Sequence, residues 1–164
     1  MRNGKFVIMF VCTGNTCRSP MAHGIMRSIV EREKLANVEV TSSGTGTLNG
    51  YPATSNAVMA AHKDGVDISD LHSDEISVEM VEEADLILVM AYEHYQLIVS
   101  VYPEAADRVF MLRAFPEREA NRKLSVEDPI GADFDTYRGT YEEIKRELER
   151  AFPFIKNRID EKTT

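Results

Sequence analysis

Phe6-Val7-Ile8-Met9-Phe10-Val11-Cys12-Thr13-Gly14-Asn15-Thr16-Cys17-Arg18-Ser19-Pro20 is the stretch whose reading decides the fold. Its first half is a continuous apolar run of the kind a buried strand needs. Its second half is polar and leads into a helical pattern at Ser19-Pro20. The reading is strand, loop, helix. Ser is a preferred N-cap, and Pro is favoured at the first helical position, where its missing N–H would have had no partner. Backbone N–H groups of a loop on a helix N-terminus can converge on one point where the helix dipole adds partial positive charge, so the site favours an anion.

Cys12 opens this loop and Arg18 closes it. Donors that favour an anion also favour a thiolate, the nucleophilic form of cysteine, and a planar guanidinium can hold two oxygens of a tetrahedral anion. The pattern is that of a nucleophile beneath a phosphate-binding loop made of Thr13, Gly14, Asn15, Thr16 and Cys17. Gly14 and Asn15 are residue types that tolerate positive φ, which inward-turned N–H groups tend to require. Ser19 can donate a hydrogen bond to the sulfur. A half-buried structural cysteine is the alternative for a bare Cys with an Arg six positions on. Placement between a strand and a Ser-Pro helix start favours the chemical reading.

At 164 residues the chain has the length of one domain with a real core; 43% hydrophobic and 28% charged residues place it among globular proteins. No stretch approaches the roughly 20 apolar residues needed to span a bilayer. Only a short apolar run precedes Cys12, with no small-residue cleavage site, so no membrane and a cytoplasmic location are expected. A net charge of −8 argues against a nucleic-acid partner. Cys12 and Cys17 are the only cysteines, too few for a disulfide scaffold, and no further Cys or His falls at metal-ligand spacing. No metal and no cofactor are expected. Asp64, Asp67, Asp70 and Asp74 lack the alternation, central Gly and distal Glu of a calcium loop and read as a solvated acidic connection.

Apolar residues from Met21 to Val30 recur at helical spacing through about Lys34, and Val38 to Ser42 alternates as a strand. Gly44 to Pro52 is a loop, and Tyr51 in it is either a pocket-wall residue or an exposed turn residue. Thr54 to Lys63 reads as a helix, Glu79 to Glu83 as a short helix capped by Ser77, and Asp85 to Met90 as a strand buried on both faces. Tyr92 to Val101 is helical and Arg108 to Leu112 is the fourth strand. The alternation gives an α/β fold: a four-stranded open parallel sheet with helices on both faces, whose ligands sit at the carboxyl ends of strands. Residues 113–133 form a long loop, and such loops in compact domains are usually functional. Phe134 onward is one long helix that Pro153 should end or kink. Asp133 and Asp135 suit that helix's N-terminus. Residues 1–159 read as a single domain and 160–164 as a frayed tail.

The segment Val11 to Pro20 resembles the signature C-x-G-N-x-C-R-S-P of the low-molecular-weight protein tyrosine phosphatases. Ser42-Ser43-Gly44-Thr45 is similar to that family's S-A-G-T segment, and Ala84 to Met90 and Asp128-Pro129 also match. The resemblance implies a flavodoxin-like three-layer sandwich and hydrolysis of a phosphorylated protein through a phosphocysteine, with inorganic phosphate as product. It implies that Cys12 attacks phosphorus and that Arg18 holds the phosphoryl oxygens. Asp128, which from its residues alone could equally be a turn aspartate, matches the family's general acid. Ser42 is implied to join Asn15 in a network fixing the loop. The family's network histidine aligns with Leu71, one position from His72. A reversible disulfide between Cys12 and Cys17 under oxidation is also implied.

Two positions depart from the tyrosine-specific pattern. Thr16 stands where a bulky aliphatic residue is general, and Ile130-Gly131 where aromatic residues often follow D-P. The sequence is more similar to bacterial protein arginine phosphatases, which carry C-T-G-N-T-C-R-S-P. A hydroxyl near a guanidinium and the loss of rings that stack on phenol favour phosphoarginine over phosphotyrosine. An arsenate reductase would need further cysteines downstream. A non-catalytic phosphate-binding module would need Cys12 and Asp128 to be incidental.

Overall fold

The computed structural model describes residues 4–164; Met1 to Asn3, included in the expected domain, lie outside the described residues. The first strand, β1 (Phe6–Cys12), runs through the apolar stretch, and β2 (Val38–Gly44), β3 (Leu86–Val89) and β4 (Val109–Met111) complete a sheet of order β2-β1-β3-β4. Every pairing is parallel, and the register sets Cys12 beside Gly44 and Val11 beside Val89.

Why the strands read as continuous apolar runs is visible in where their side chains go. Ile8, Phe10, Cys12, Leu86 and Leu88 share one core with helices α1 (Arg18–Arg32), α2 (Ser55–His62) and α5 (Phe134–Thr163). Met9, Val11, Ile87 and Val89 point into a second core with α3 (Val78–Glu83) and α4 (Tyr92–Val101). A sheet covered on both faces has no polar face to show. Thr54, Ser77 and Asp133 cap α2, α3 and α5 by accepting from Ala57, Met80 and Thr136 N–H groups.

Two boundaries differ from expectation. Helix α1 starts at Arg18, and Cys17 occupies the cap position with no side-chain bond, so Ser19 is not the N-cap. Pro20 sits in the first turn, where its missing N–H is among those without an intrahelical partner. The second difference is α5, which runs unbroken through Pro153 to Thr163. Leu148, Ala151, Ile155 and Ile159 bury the inner stripe on both sides of the proline, while Pro153 and Glu149, whose carbonyl loses its bond, face solvent. The tail is therefore not frayed: Lys162 Nζ reaches Asp85 Oδ2 at 2.7 Å and the Lys5 carbonyl at 2.6 Å, docking the helix end on the starts of β1 and β3.

Candidate active site

The loop after β1 turns tightly because Asn15 adopts a φ of 54°. Gly14 does not use positive φ, contrary to expectation; its place is at the pocket lining, where a Cβ would meet Thr16 Oγ1 at 3.4 Å. The Asn15 N–H points to Cys12 Sγ at 3.3 Å. Its side chain ties the loop on both sides: Nδ2 donates to Ser19 Oγ at 2.7 Å, and Oδ1 accepts from the Asp74 N–H at 2.8 Å. Because Ser19 Oγ accepts from Asn15, its single proton is free to go to Cys12 Sγ, 2.9 Å away. Ser19, displaced from its capping role, serves the cysteine. The loop's outer wall is the end of β2, where Gly44 is needed for closeness: a Cβ there would lie 2.5 Å from the Thr13 carbonyl oxygen.

Arg18 is 3% exposed at the loop's far end. Its Nη1 donates to the Val126 carbonyl at 2.8 Å, and Nη2 lies 3.5 Å from Asp128 Oδ2. Val126 in turn donates its N–H to the Met90 carbonyl beyond β3, at 2.7 Å. The long 113–133 segment is thus pinned to the sheet end and to Arg18 just before it delivers Asp128. The Asp128 side chain is 41% exposed and accepts from the Ile130 N–H. Cys12, Gly14, Thr16, Cys17, Arg18, Asp128 and Ile130 line one small pocket. All three expected catalytic residues meet there.

Ser42 and the acidic connection differ from expectation, whereas Tyr51 takes its exposed alternative. Ser42 does not bond Asn15; its Oγ pairs with His23 Nδ1 at 3.0 Å. His72 is exposed, bonds the Asp70 carbonyl and takes no part in the loop. Tyr51 is half exposed and does not line the pocket. The acidic connection is solvated only in part, since Asp70 chelates Arg27 and Asp64 binds Tyr141 and Lys145.

The histidine that supports the loop is His94, which the sequence reading passed over. Its Nδ1 accepts from the Ala91 N–H, so the neutral ring carries its proton on Nε2 and donates to Thr13 Oγ1 at 2.8 Å. Burial, with the Arg18 charge nearby, lowers its pKa to about 3. His23 is likewise lowered to about 4, chiefly by burial and then by Arg27. Tyr137, also missed, places its OH 3.3 Å from Cys17 Sγ and accepts from Thr54 Oγ1. Burial and the Cys17 contact push its pKa up to about 12. The signal for His94 was its position three residues after Ala91 at a helix start; Tyr137 had none beyond helical spacing.

A cysteine at the carboxyl end of a parallel strand, wrapped by a loop that ends in a buried arginine and overlooked by a carboxyl group, defines a cysteine-dependent phosphatase. The chain belongs to the family described as low molecular weight phosphotyrosine protein phosphatase, whose pattern matches residues 7–163. It is 40% identical over 141 residues to a protein-arginine-phosphatase of Bacillus subtilis, covering 86% of this chain and 91% of the relative. It is 34% identical over 157 residues to low molecular weight protein-tyrosine phosphatase A of Mycobacterium tuberculosis, covering 94% of this chain and 92% of the relative. Among solved structures, YwlE arginine phosphatase with a phosphorylated active-site serine superposes with a TM-score of 0.84 at 36% identity, covering 92% of this chain and 96% of that one. A low molecular weight protein tyrosine phosphatase from T. tengcongensis gives 0.83 at 38% identity, covering 91% and 99%.

Proposed function

We propose that the chain hydrolyses phosphoarginine in proteins through a phosphocysteine formed at Cys12. The observation that carries the substrate reading is the lining of the pocket: Thr16 and Ile130 stand at its wall and no aromatic ring is among its lining residues. A phenol ring has nothing there to stack on, while the Thr16 hydroxyl offers a hydrogen bond to a guanidinium. The arginine-phosphatase relative supports the same choice.

In the proposed cycle the phosphoryl oxygens take the N–H fork of Arg18 and the loop N–H groups. The dianion replaces the 3.5 Å contact between Arg18 and Asp128 and leaves the carboxyl facing the leaving atom. Cys12 Sγ attacks phosphorus, the P–N bond breaks, and Asp128 gives its proton to the departing guanidine nitrogen. Water then attacks the phosphocysteine, Asp128 takes a proton from it, the S–P bond breaks, and inorganic phosphate leaves with the Cys12 sulfur restored as thiolate. Ser19 Oγ, 2.9 Å from the sulfur, stabilises negative charge there in both half-reactions. Arg18 stabilises the charge on the equatorial oxygens.

Thr16→Ile tests the specificity argument: the ratio of phosphoarginine to phosphotyrosine turnover is expected to fall, and an unchanged ratio removes Thr16 from the argument. The proposal extends to redox control by a Cys12–Cys17 disulfide. Mass analysis after peroxide is expected to show the disulfide; an irreversibly oxidised Cys12 with no disulfide sinks that part.

A further inference from the structure

Asp128 has two sides. One faces the Cys12 pocket, and the other lines a separate groove that crosses the first turns of α5. The groove's floor is made of Thr136, Gly139 and Thr140, and a Cβ built at Gly139 meets nothing within 4 Å, so the trough is open at that point. Its far wall is the turn Arg122–Leu124, which Arg113 holds in place by donating from Nη1 to the Lys123 carbonyl at 3.1 Å.

The groove's lining carries three cations, Arg113, Arg122 and Lys123, and three carboxylates, Glu127, Asp128 and Glu143. Arg113 is paired with Glu143 at 3.5 Å, and Asp128 with Arg18. Arg122 and Lys123 are exposed, and their side chains make no hydrogen bond or ion pair with any described residue. Glu127 is also exposed, and Arg122 and Lys123 are the lining's cations without a partner among the described residues. On a chain of net charge −8, whose general surface repels an acidic partner, an exposed and unpartnered Arg122-Lys123 pair beside the reactive pocket is a local attractor. A phosphorylated side chain that reaches Cys12 in a protein must also lay its neighbouring residues across the rim, and this groove is contiguous with the rim through Asp128.

We propose that the groove seats the residues adjacent to the phosphorylated side chain, and that Arg122 and Lys123 select substrates with an acidic residue on that flank. The inference rests on Cys12 acting on phosphorylated proteins and deepens that reading by naming the kind of segment recognised.

The test uses the Cys12→Ala protein, which has no nucleophile at position 12, and dye-labelled peptides with central phosphoarginine or phosphotyrosine. Each carries a pair of Glu on the N-terminal side, a pair of Glu on the C-terminal side, or Gln throughout. For one of the two acidic arrangements, binding is expected to be tighter than for the Gln peptide by about threefold or more, the scale of one or two exposed ion pairs. The gain should shrink as salt is raised. Adding Arg122→Gln and Lys123→Gln should abolish the gain, bringing the acidic peptides to the affinity of the Gln peptide measured with the same variant. Equal binding of acidic and Gln peptides, a gain that survives the double substitution, or no binding by any peptide overturns the proposal. The choice between phosphoarginine and phosphotyrosine is read separately from the Gln pair, so an error there leaves the acidic preference measurable in the other series. With Cys12 intact, the Arg122→Gln/Lys123→Gln variant should retain turnover of p-nitrophenyl phosphate, which separates a lost flank contact from a folding failure.

Discussion

Replacing Asn15 tests the architecture of the loop most sharply, because three separate jobs meet in one buried side chain. Asn15→Ala removes the donor to Ser19 Oγ and the acceptor of the Asp74 N–H, each worth about 1 kcal/mol, and puts a Cβ without local compensation at φ 54°, which costs about 1 kcal/mol more. A loss near 3 kcal/mol is expected in urea unfolding. Asn15→Gly loses the same two bonds but adopts the backbone freely, so its loss should be smaller than that of Ala. Both should lower kcat for p-nitrophenyl phosphate by about tenfold or more, since Ser19 loses the partner that aims its proton at Cys12 Sγ and small misplacements at a reacting centre are expensive. Stability within about 0.5 kcal/mol of wild type for both variants would refute the reasoning, because losses that size belong to ordinary surface positions.

Gly44→Ala places a Cβ 2.5 Å from the Thr13 carbonyl oxygen and 2.7 Å from Thr47 Cγ2, so backbone must move; a loss of about 1–3 kcal/mol in urea unfolding with reduced kcat is expected, and unchanged kinetics would mean that β2 does not brace the loop. The buried histidines give a pH dependence of defined sign. With folded pKa values of about 4 for His23 and about 3 for His94, the unfolded chain binds protons first as pH falls. Stability is whole above about pH 6.5 and declines below it toward those values, by up to about 1.4 kcal/mol per pH unit for each histidine. Urea midpoints measured at about pH 7 and about pH 5 should show a decline that His94→Gln reduces; an identical slope in that variant contradicts the assignment.

Much of this site was legible because its residues are contiguous in sequence. Cys12 to Pro20 carries the proposed nucleophile, the positive-φ position and the arginine in a single run, and the parallel sheet followed from apolar runs spaced by helical periods. What was not legible depends on contacts across long separations. Thr13 and His94 meet over 81 positions, and Cys17 and Tyr137 over 120; the helix-start position of His94 marks its bond to Ala91 but not its reach to Thr13, and Tyr137 has no local mark at all. Ser19 looked like a cap because composition alone does not reveal that Asn15 and Cys12 compete for its hydroxyl. Pro153 looked like a helix end because the local rule ignores the buried stripe on either side and Lys162 anchored on Asp85. Ser42 was assigned to the wrong partner because His23, one face away on α1, offered no pattern of its own.

The most direct measurement is phosphate release from a phosphoarginine-bearing protein and from a phosphotyrosine peptide, side by side, by the wild-type chain and by Cys12→Ser. The expected result is turnover by wild type alone, with phosphoarginine preferred. Preference for phosphotyrosine would keep the cysteine chemistry and contradict the role given to Thr16, and release undiminished in Cys12→Ser, or none by wild type on either substrate, would contradict the mechanism itself.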